Sequence, residues 1–410
     1  MSFFNDIKND PSIEVFELNK LYEEDICPNK CNLGIGAYKT EDGNPWILPV
    51  VRDVEIKVAM GLMCDNENYP VLGTESFTSA ATTLLLGEDN RAIIEKRACG
   101  IQTLSGTGAL RIGAEFLAKV LGRTTFYYSK PSWDNHRQVL LNAGFTTPRE
   151  YRYWNSIEKN VDIEGLLEDL NGAPEDAVVL FHCCAHNPTG CDPTKEQWRK
   201  IFQVVKKRKL FPFFDSAYQG LATGDPEADS WPARYAANEG FEFFCAQSFA
   251  KNFGLYNERV GNLIIVTKTE QVLNAIKSQF TILIRAMYSN TTNHGARVVG
   301  LILNDKTLKS QWLESIRIMS FRIRSLRKKL KTHLQKLKIP GSWDHVTQQI
   351  GMFFYTGLND NQVEYLMQKY HIYILKCGRI NMCGINSSNM EYIARAIDDA
   401  VRSVNNNVDS

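Results

Sequence analysis

Residues 177–218 read AVVLFHCCAHNPTGCDPTKEQWRKIFQVVKKRKLFPFFDSAY. Ala177 to His182 is a continuous apolar run of strand length. Lys195 to Lys209 is amphipathic with helical spacing, and Leu210 to Asp215 is apolar again. A strand with no polar face must be covered on both sides. Strand, helix and strand in this order therefore predict part of a mostly parallel sheet between two layers of helices.

The alternation continues in both directions. Leu110 to Leu121, His136 to Ala143 and Ile163 to Leu170 predict helices; Thr125 to Ser129, Phe241 to Ala246 and Leu263 to Thr267 predict strands. Upstream, Ile13 to Leu21 has a short helical pattern, and residues 32–50 are punctuated by Gly and Pro and expected to be extended. From Ile316 the pattern changes. Ile316, Met319, Ile323, Leu326, Leu330, Leu334 and Leu337 recur every three or four residues, one face of a long helix that Pro340-Gly341 stops. Gly351 to Thr356, Ile372 to Leu375 and Arg379 to Cys383 predict short strands before a last helix, Asn389 to Val404. The expected organisation is an arm over 1–11, a large α/β domain over 46–315, and a smaller α+β domain from 12–45 and 316–410. Arg317, Arg322, Arg327 and the other basic residues of the long helix are assigned to its solvated faces, not to a nucleic-acid surface.

Composition excludes several classes. Of 410 residues, 44% are hydrophobic and 23% charged, as in ordinary globular proteins. Lys and Arg total 47 against 46 Asp and Glu, so no net field draws the chain to nucleic acid or an anionic membrane. No apolar run approaches a membrane span, and the start, MSFFND, lacks the basic and apolar regions of a signal peptide. A cytoplasmic location is expected. The cysteines show no Cys-x-x-Cys and no zinc-like spacing with His, so buried reduced thiols are expected, and no metal.

In open α/β sheets, ligands bind beyond the carboxyl ends of the strands. Those positions carry Asn187 in HNPTG, Asp215 and Tyr218 in DSAY, and Ser248 and Lys251 in QSFAKN. Ser105-Gly106-Thr107 opens a helix after Gln102-Thr103-Leu104. Backbone N–H groups and hydroxyls at such a helix start can hold an anion, with the helix dipole assisting. A dinucleotide loop fails, because Arg111 occupies the last glycine position of G-x-G-x-x-G. Arg259 is a second candidate phosphate ligand.

Five stretches, SGTGALRIGAEF (105–116), HNPTG (186–190), DSAYQG (215–220), SFAKNFGLYNERVG (248–261) and GRINMCG (378–384), resemble those of the aspartate aminotransferases. These are pyridoxal 5'-phosphate (PLP) enzymes of fold type I, and the likeness runs from about Pro11 to the final helix. It implies a seven-stranded, mostly parallel sheet flanked by helices, and a homodimer with shared active sites. It implies ping-pong transfer of an amino group between L-aspartate and 2-oxoglutarate, giving oxaloacetate and L-glutamate. By the resemblance Lys251 is the Schiff-base lysine and Asp215 pairs with the pyridinium nitrogen. Tyr218 and Asn187 hydrogen-bond the phenolic oxygen, Trp133 stacks on the ring, and His136 and His182 back the aspartate. Ser105, Gly106, Thr107, Ser248 and Arg259 form the phosphate cup, joined by Tyr69 of the other subunit. Arg379 clamps the substrate α-carboxylate, Arg285 clamps the distal carboxylate from the other subunit, and Gly36 lies in a flap.

Three stretches depart from the family. Asn68-Tyr69-Pro70-Val71 is one residue shorter than the usual Tyr-Leu-Pro stretch, Thr291-Thr292 replaces Pro-Pro, and Lys376-Cys377 replaces Pro-Ser. Two alternatives stay open: an aminotransferase preferring aromatic or sulfinate substrates, and a silent paralogue kept for binding.

Overall fold

The computed structural model describes residues 2–9, 12–61 and 70–404; Tyr69 lies outside them. Its main sheet has seven strands: β1 Ala98–Leu104, β2 Thr125–Lys130, β3 Thr147–Arg152, β4 Val178–His182, β5 Phe211–Ser216, β6 Phe243–Ser248 and β7 Val260–Val266, in the order β1-β7-β6-β5-β4-β2-β3. β7 is antiparallel to both β1 and β6, and the other neighbours are parallel. The expected mostly parallel α/β sheet is present.

Alternate residues of these strands feed two apolar layers. Val178, Leu180, Phe213 and Leu263 pack with Leu110, Phe280 and Ile284 on one face. Val179, Phe181, Phe214 and Ile264 pack on the other with Trp198, Ile201 and Phe202 of the helix Lys195–Lys207. That helix begins where expected because Thr194 and Gln197 form a reciprocal cap. β3 carried no apolar signal: Thr-Pro-Arg-Glu-Tyr-Arg is a polar edge strand, where proline is tolerated. The stretch expected to be extended ends at Pro49, which opens the helix Pro49–Ala59.

Two expectations about the long helix are corrected. It spans Lys306–Lys336 and so starts ten residues before Ile316, because the Asp305 carboxylate accepts from the N–H groups of Thr307 and Leu308. Arg327 is not on a solvated face: it is 2% exposed, with its guanidinium inside the protein. Beyond this helix, Phe353–Tyr355 pairs antiparallel with Arg379–Asn381, and Ile372–Tyr373 pairs parallel with Cys31–Asn32 from near the start of the chain. Among the described residues no helix is long and apolar enough to cross a membrane.

Candidate active site

A cavity of about 230 Å³ opens at the carboxyl edge of the sheet. β7 explains how residues distant in sequence share this edge. Because it runs against its neighbours, its beginning lies beside their ends: Val260 pairs with Leu104, and Gly261 with both Thr103 and Ser248. Arg259, just before β7, is therefore carried to the starts of the segments that follow β1 and β6. The Ser105 N–H donates to the Arg259 carbonyl at 3.0 Å, and the Ser105 and Ser248 hydroxyls are 3.1 Å apart. Ser105, Gly106, Thr107, Ser248 and Arg259 all line the cavity. The first three open the helix Ser105–Glu115; the Arg259 carbonyl takes the Ser105 N–H, and those of Gly106 and Thr107, in the first turn, have no partner within the helix.

Close approach requires glycine here. A Cβ on Gly261 would lie 2.3 Å from the Ser105 carbonyl carbon and 2.6 Å from its Cα, both backbone atoms that cannot swing away. Gly261→Ala should cost about 1–3 kcal/mol of stability, the usual range for overpacking. Chemical denaturation would measure it; a midpoint equal to that of the unsubstituted protein would show that β7 and the helix start at Ser105 can separate without cost.

Asp215, next to last in β5, is buried, with its Oδ2 2.9 Å from His136 Nε2; the other ring nitrogen of His136 is 2.9 Å from the Ser132 hydroxyl. Burial pushes the Asp215 pKa up, but the His136 hydrogen bond and the charges of His136, His182 and Lys251 outweigh it, so the net shift is downward and Asp215 is a carboxylate. His182 is pushed down to about 3 by burial and by His136, so it carries charge only in the acid range where Asp215 itself titrates and is neutral at pH 7; among the described residues its Nε2 has no partner. The ligand atoms of His136, His182 and Asp215 lie within 4.8 Å of one another, but the hydrogen bonds to Ser132 and Asp215 engage both nitrogens of His136. His186 is a satisfied interior residue, 2.8 Å from both the Ser129 and the Thr189 hydroxyls.

Lys251 follows β6 and lines the cavity with its Nζ 5.1 Å from the centre of the Tyr218 ring. Burial lowers its pKa, with Asp215 pulling the other way. A lysine shifted in that direction is closer to being a nucleophile and base. Burial raises the Tyr218 hydroxyl, against the nearby Arg379 charge.

Arg379 is 6% exposed and lines the same cavity. It donates to Asn187 Oδ1 at 2.8 Å and to the Gly34 carbonyl at 2.7 Å, and its guanidinium carbon lies 4.1 Å from the centre of the Phe353 ring. Among the described residues its Nε has no hydrogen-bond partner and no carboxylate pairs with it directly, although the charges of Asp134 and Glu14 reach it. A buried guanidinium with a spare donor facing a cavity is built for an anionic ligand. Trp133 and Gly36 complete the walls; a Cβ on Gly36 would meet the Phe353 ring at 3.0 Å.

The structure thus gathers the sequence-predicted residues in one cavity, with two exceptions. Arg285 is exposed, donates to the Ser289 hydroxyl at 2.7 Å and is not in this chain's cavity. Tyr69 lies outside the described residues. Of the further lining residues that were not predicted, two bear on the site. Tyr256 sits between Lys251 and Arg259, where its spacing could have marked it, and its hydroxyl accepts from the Tyr38 N–H at 2.9 Å. Phe353 had no local signal.

A mostly parallel α/β sheet with a lysine, an aspartate and a buried arginine converging on an anion cup at its strand ends defines a class of group-transfer enzyme. Residues 28–397 match the family model for class I and II aminotransferases, and the chain belongs to that family. It is 52% identical over 408 residues to the cytoplasmic aspartate aminotransferase of Caenorhabditis elegans, covering 100% of both chains. Among solved structures, the cytoplasmic aspartate aminotransferase of Saccharomyces cerevisiae superposes with a TM-score of 0.95 at 38% identity, over 98% of this chain and 99% of that one. The aromatic-amino-acid aminotransferase of Burkholderia pseudomallei, covalently bound to pyridoxal phosphate, superposes with a TM-score of 0.95 at 36% identity, over 98% of this chain and 100% of that one.

Proposed function

We propose that this chain is a PLP-dependent aspartate aminotransferase of the cytoplasm, exchanging amino groups between L-aspartate and 2-oxoglutarate. The observation that carries this is Arg379, a buried guanidinium with no direct carboxylate partner among the described residues, in the cavity that also holds Lys251 and Asp215. The cavity's chemistry fits PLP group by group: N–H and hydroxyl donors with Arg259 for a phosphate, a carboxylate for a ring nitrogen, a lysine for an aldehyde. When bound, PLP supplies an electron sink for the charge left when substrate Cα loses its proton.

The residues divide the remaining work. Lys251 attaches the cofactor and then moves the proton from substrate Cα. Asp215 holds a proton on the ring nitrogen. Tyr218 and Asn187 hydrogen-bond the phenolic oxygen, and Trp133 covers the ring. Ser105, Gly106, Thr107, Ser248 and Arg259 hold the phosphate. Arg379 takes the α-carboxylate, with Gly36 in the wall that closes beside it. Tyr69 and Arg285 act from the second subunit of a homodimer; the exposed position of Arg285, away from its own cavity, supports this. Residues 12–45 and 316–410 form the smaller domain around the large one, 46–315, a division that the pairing of Cys31–Asn32 with Ile372–Tyr373 supports; residues 1–11 are an arm.

A steady-state panel of amino donors with 2-oxoglutarate tests the function. Aspartate should exceed phenylalanine and alanine in kcat/KM; a preference for phenylalanine would transfer the assignment to the aromatic aminotransferases. No turnover of any donor by PLP-loaded protein would leave a binding paralogue.

Asp215→Asn keeps size and hydrogen bonding but removes the charge. Losing one member of a buried charge pair costs about 3–5 kcal/mol, which at the transition state is roughly 10²–10³-fold or more in rate. Single-turnover kinetics with aspartate would show it. A rate within a factor of about 3 of the original, less than 1 kcal/mol, would remove Asp215 from the ring nitrogen.

A further inference from the structure

Arg327 lies on the long helix, 2% exposed, and both terminal nitrogens of its guanidinium donate to the segment between Val346 and Phe353. Nη1 donates to the Val346 carbonyl at 2.9 Å. Nη2 reaches the carbonyls of Ile350 at 3.4 Å, Gly351 at 3.0 Å and Phe353. Every acceptor is backbone, and no carboxylate is among its partners. Burial pushes the guanidinium down to about 10, so it remains a cation. An interior cation without a counter-ion is expensive to keep, and here it fixes the backbone that runs from the short helix His345–Gln348 to the start of the strand at Phe353.

That segment leads into the strand Phe353–Tyr355, whose partner strand carries Arg379. The Phe353 ring lies under the Arg379 guanidinium at 4.1 Å, meets the Tyr218 ring edge-on at 5.6 Å, and borders Gly36. The segment is tied to the other side of the site as well: the Ile350 N–H donates to the Gly190 carbonyl at 2.7 Å, at the end of the turn that presents Asn187. Two of the three neighbours of Arg379, its aromatic face and its amide partner, thus stand on backbone that Arg327 holds directly or through one hydrogen bond.

We infer that Arg327 is a positioning residue for substrate binding, acting through Phe353 to aim the Arg379 guanidinium at the substrate carboxylate. This rests on Arg379 as the carboxylate clamp, the role proposed above. Lysine at 327 would keep the charge, but a single ammonium lacks the planar fork that serves carbonyls spread from 346 to 353.

The test uses the PLP-loaded enzyme and succinate, a dicarboxylate that binds without reacting. Calorimetry should show succinate affinity reduced roughly tenfold in Arg327→Lys, about one charge-assisted hydrogen bond, with a parallel rise in the aspartate KM and a much smaller fall in kcat. Phe353→Leu, which leaves Arg327 intact, should weaken succinate similarly. The double variant should lose little more than the worse single one, since both act on one link. Arg379→Ala is the reference and should lose the most. If Arg379→Ala binds succinate normally, the clamp itself is misassigned. If Arg379→Ala fails to bind while Arg327→Lys melts earlier yet binds succinate within about twofold, near the limit of additivity, Arg327 only stabilises the fold. Should Arg327→Lys not fold, normal binding by Phe353→Leu would by itself break the relay and overturn the inference.

Discussion

Lys251→Ala should abolish turnover while leaving a protein that still takes up PLP. Two functions disappear together: the covalent hold on the cofactor and the group that moves the proton at substrate Cα. General acid–base catalysis alone is worth roughly 10²–10⁴-fold, so the loss should reach at least the upper end of that range. Retention of PLP follows from what the substitution leaves untouched. Ser105, Ser248 and Arg259 are tied to one another through β1, β6 and β7, and Asp215 is held by His136, with none of these contacts passing through Lys251. Absorbance after dialysis reads cofactor content, and a coupled assay reads turnover. Near-normal turnover would remove Lys251 from the chemistry. Loss of both cofactor and turnover would show that the anion cup and the aspartate cannot hold PLP on their own.

Much of this was legible before any coordinates because β4, β5 and β6 write their ends into the sequence. Each is an apolar run that stops at a polar residue, and the sheet brings those stops to one edge. What the sequence hid has physical reasons. β3 lies at the rim, so nothing requires it to be apolar. Arg327 adjoins Leu326 and Arg324 in a helix rich in basic residues, and spacing alone cannot distinguish it from its solvated neighbours. Its partners are carbonyls 19 to 26 residues away, which carry no side-chain signature. Phe353 is one phenylalanine in a short strand, and only the fold shows that it faces Arg379. Of the departures from the family pattern, Thr291 uses the N–H that a proline would lack, donating to Asn290 Oδ1 at 3.0 Å, so the loop beyond Arg285 gains a bond where it loses a rigid residue.

Arg285 carries the choice of substrate. A dicarboxylic amino acid presents two carboxylates, and Arg379 can take one. A second planar guanidinium would grip the other bidentately, and hydrogen bonds to charged groups are worth about 1.5–3 kcal/mol each. Arg285→Ala should therefore lose aspartate and glutamate activity by roughly 10²-fold or more, two such bonds, with alanine and phenylalanine changing far less. Arg285→Asp should go further and begin to favour cationic amino acids. In a single chain Arg285 is exposed, outside the cavity, and among the described residues it donates to Ser289. Its use in catalysis thus requires another subunit, and a two-fold dimer makes that contact reciprocal. Arg285→Ala and Lys251→Ala proteins, each inactive toward aspartate, should then regain activity when mixed and re-dimerised. In the mixed dimer one cavity has its own Lys251 and faces an intact Arg285 from the other chain, while the second cavity lacks both. Random exchange should restore up to about a quarter of the normal activity, because half the dimers are mixed and one site of each works. Activity that stays at the level of the parents, with subunit exchange demonstrated by a mass-tagged copy, would place Arg285 outside any partner's site and take the dicarboxylate preference away from it.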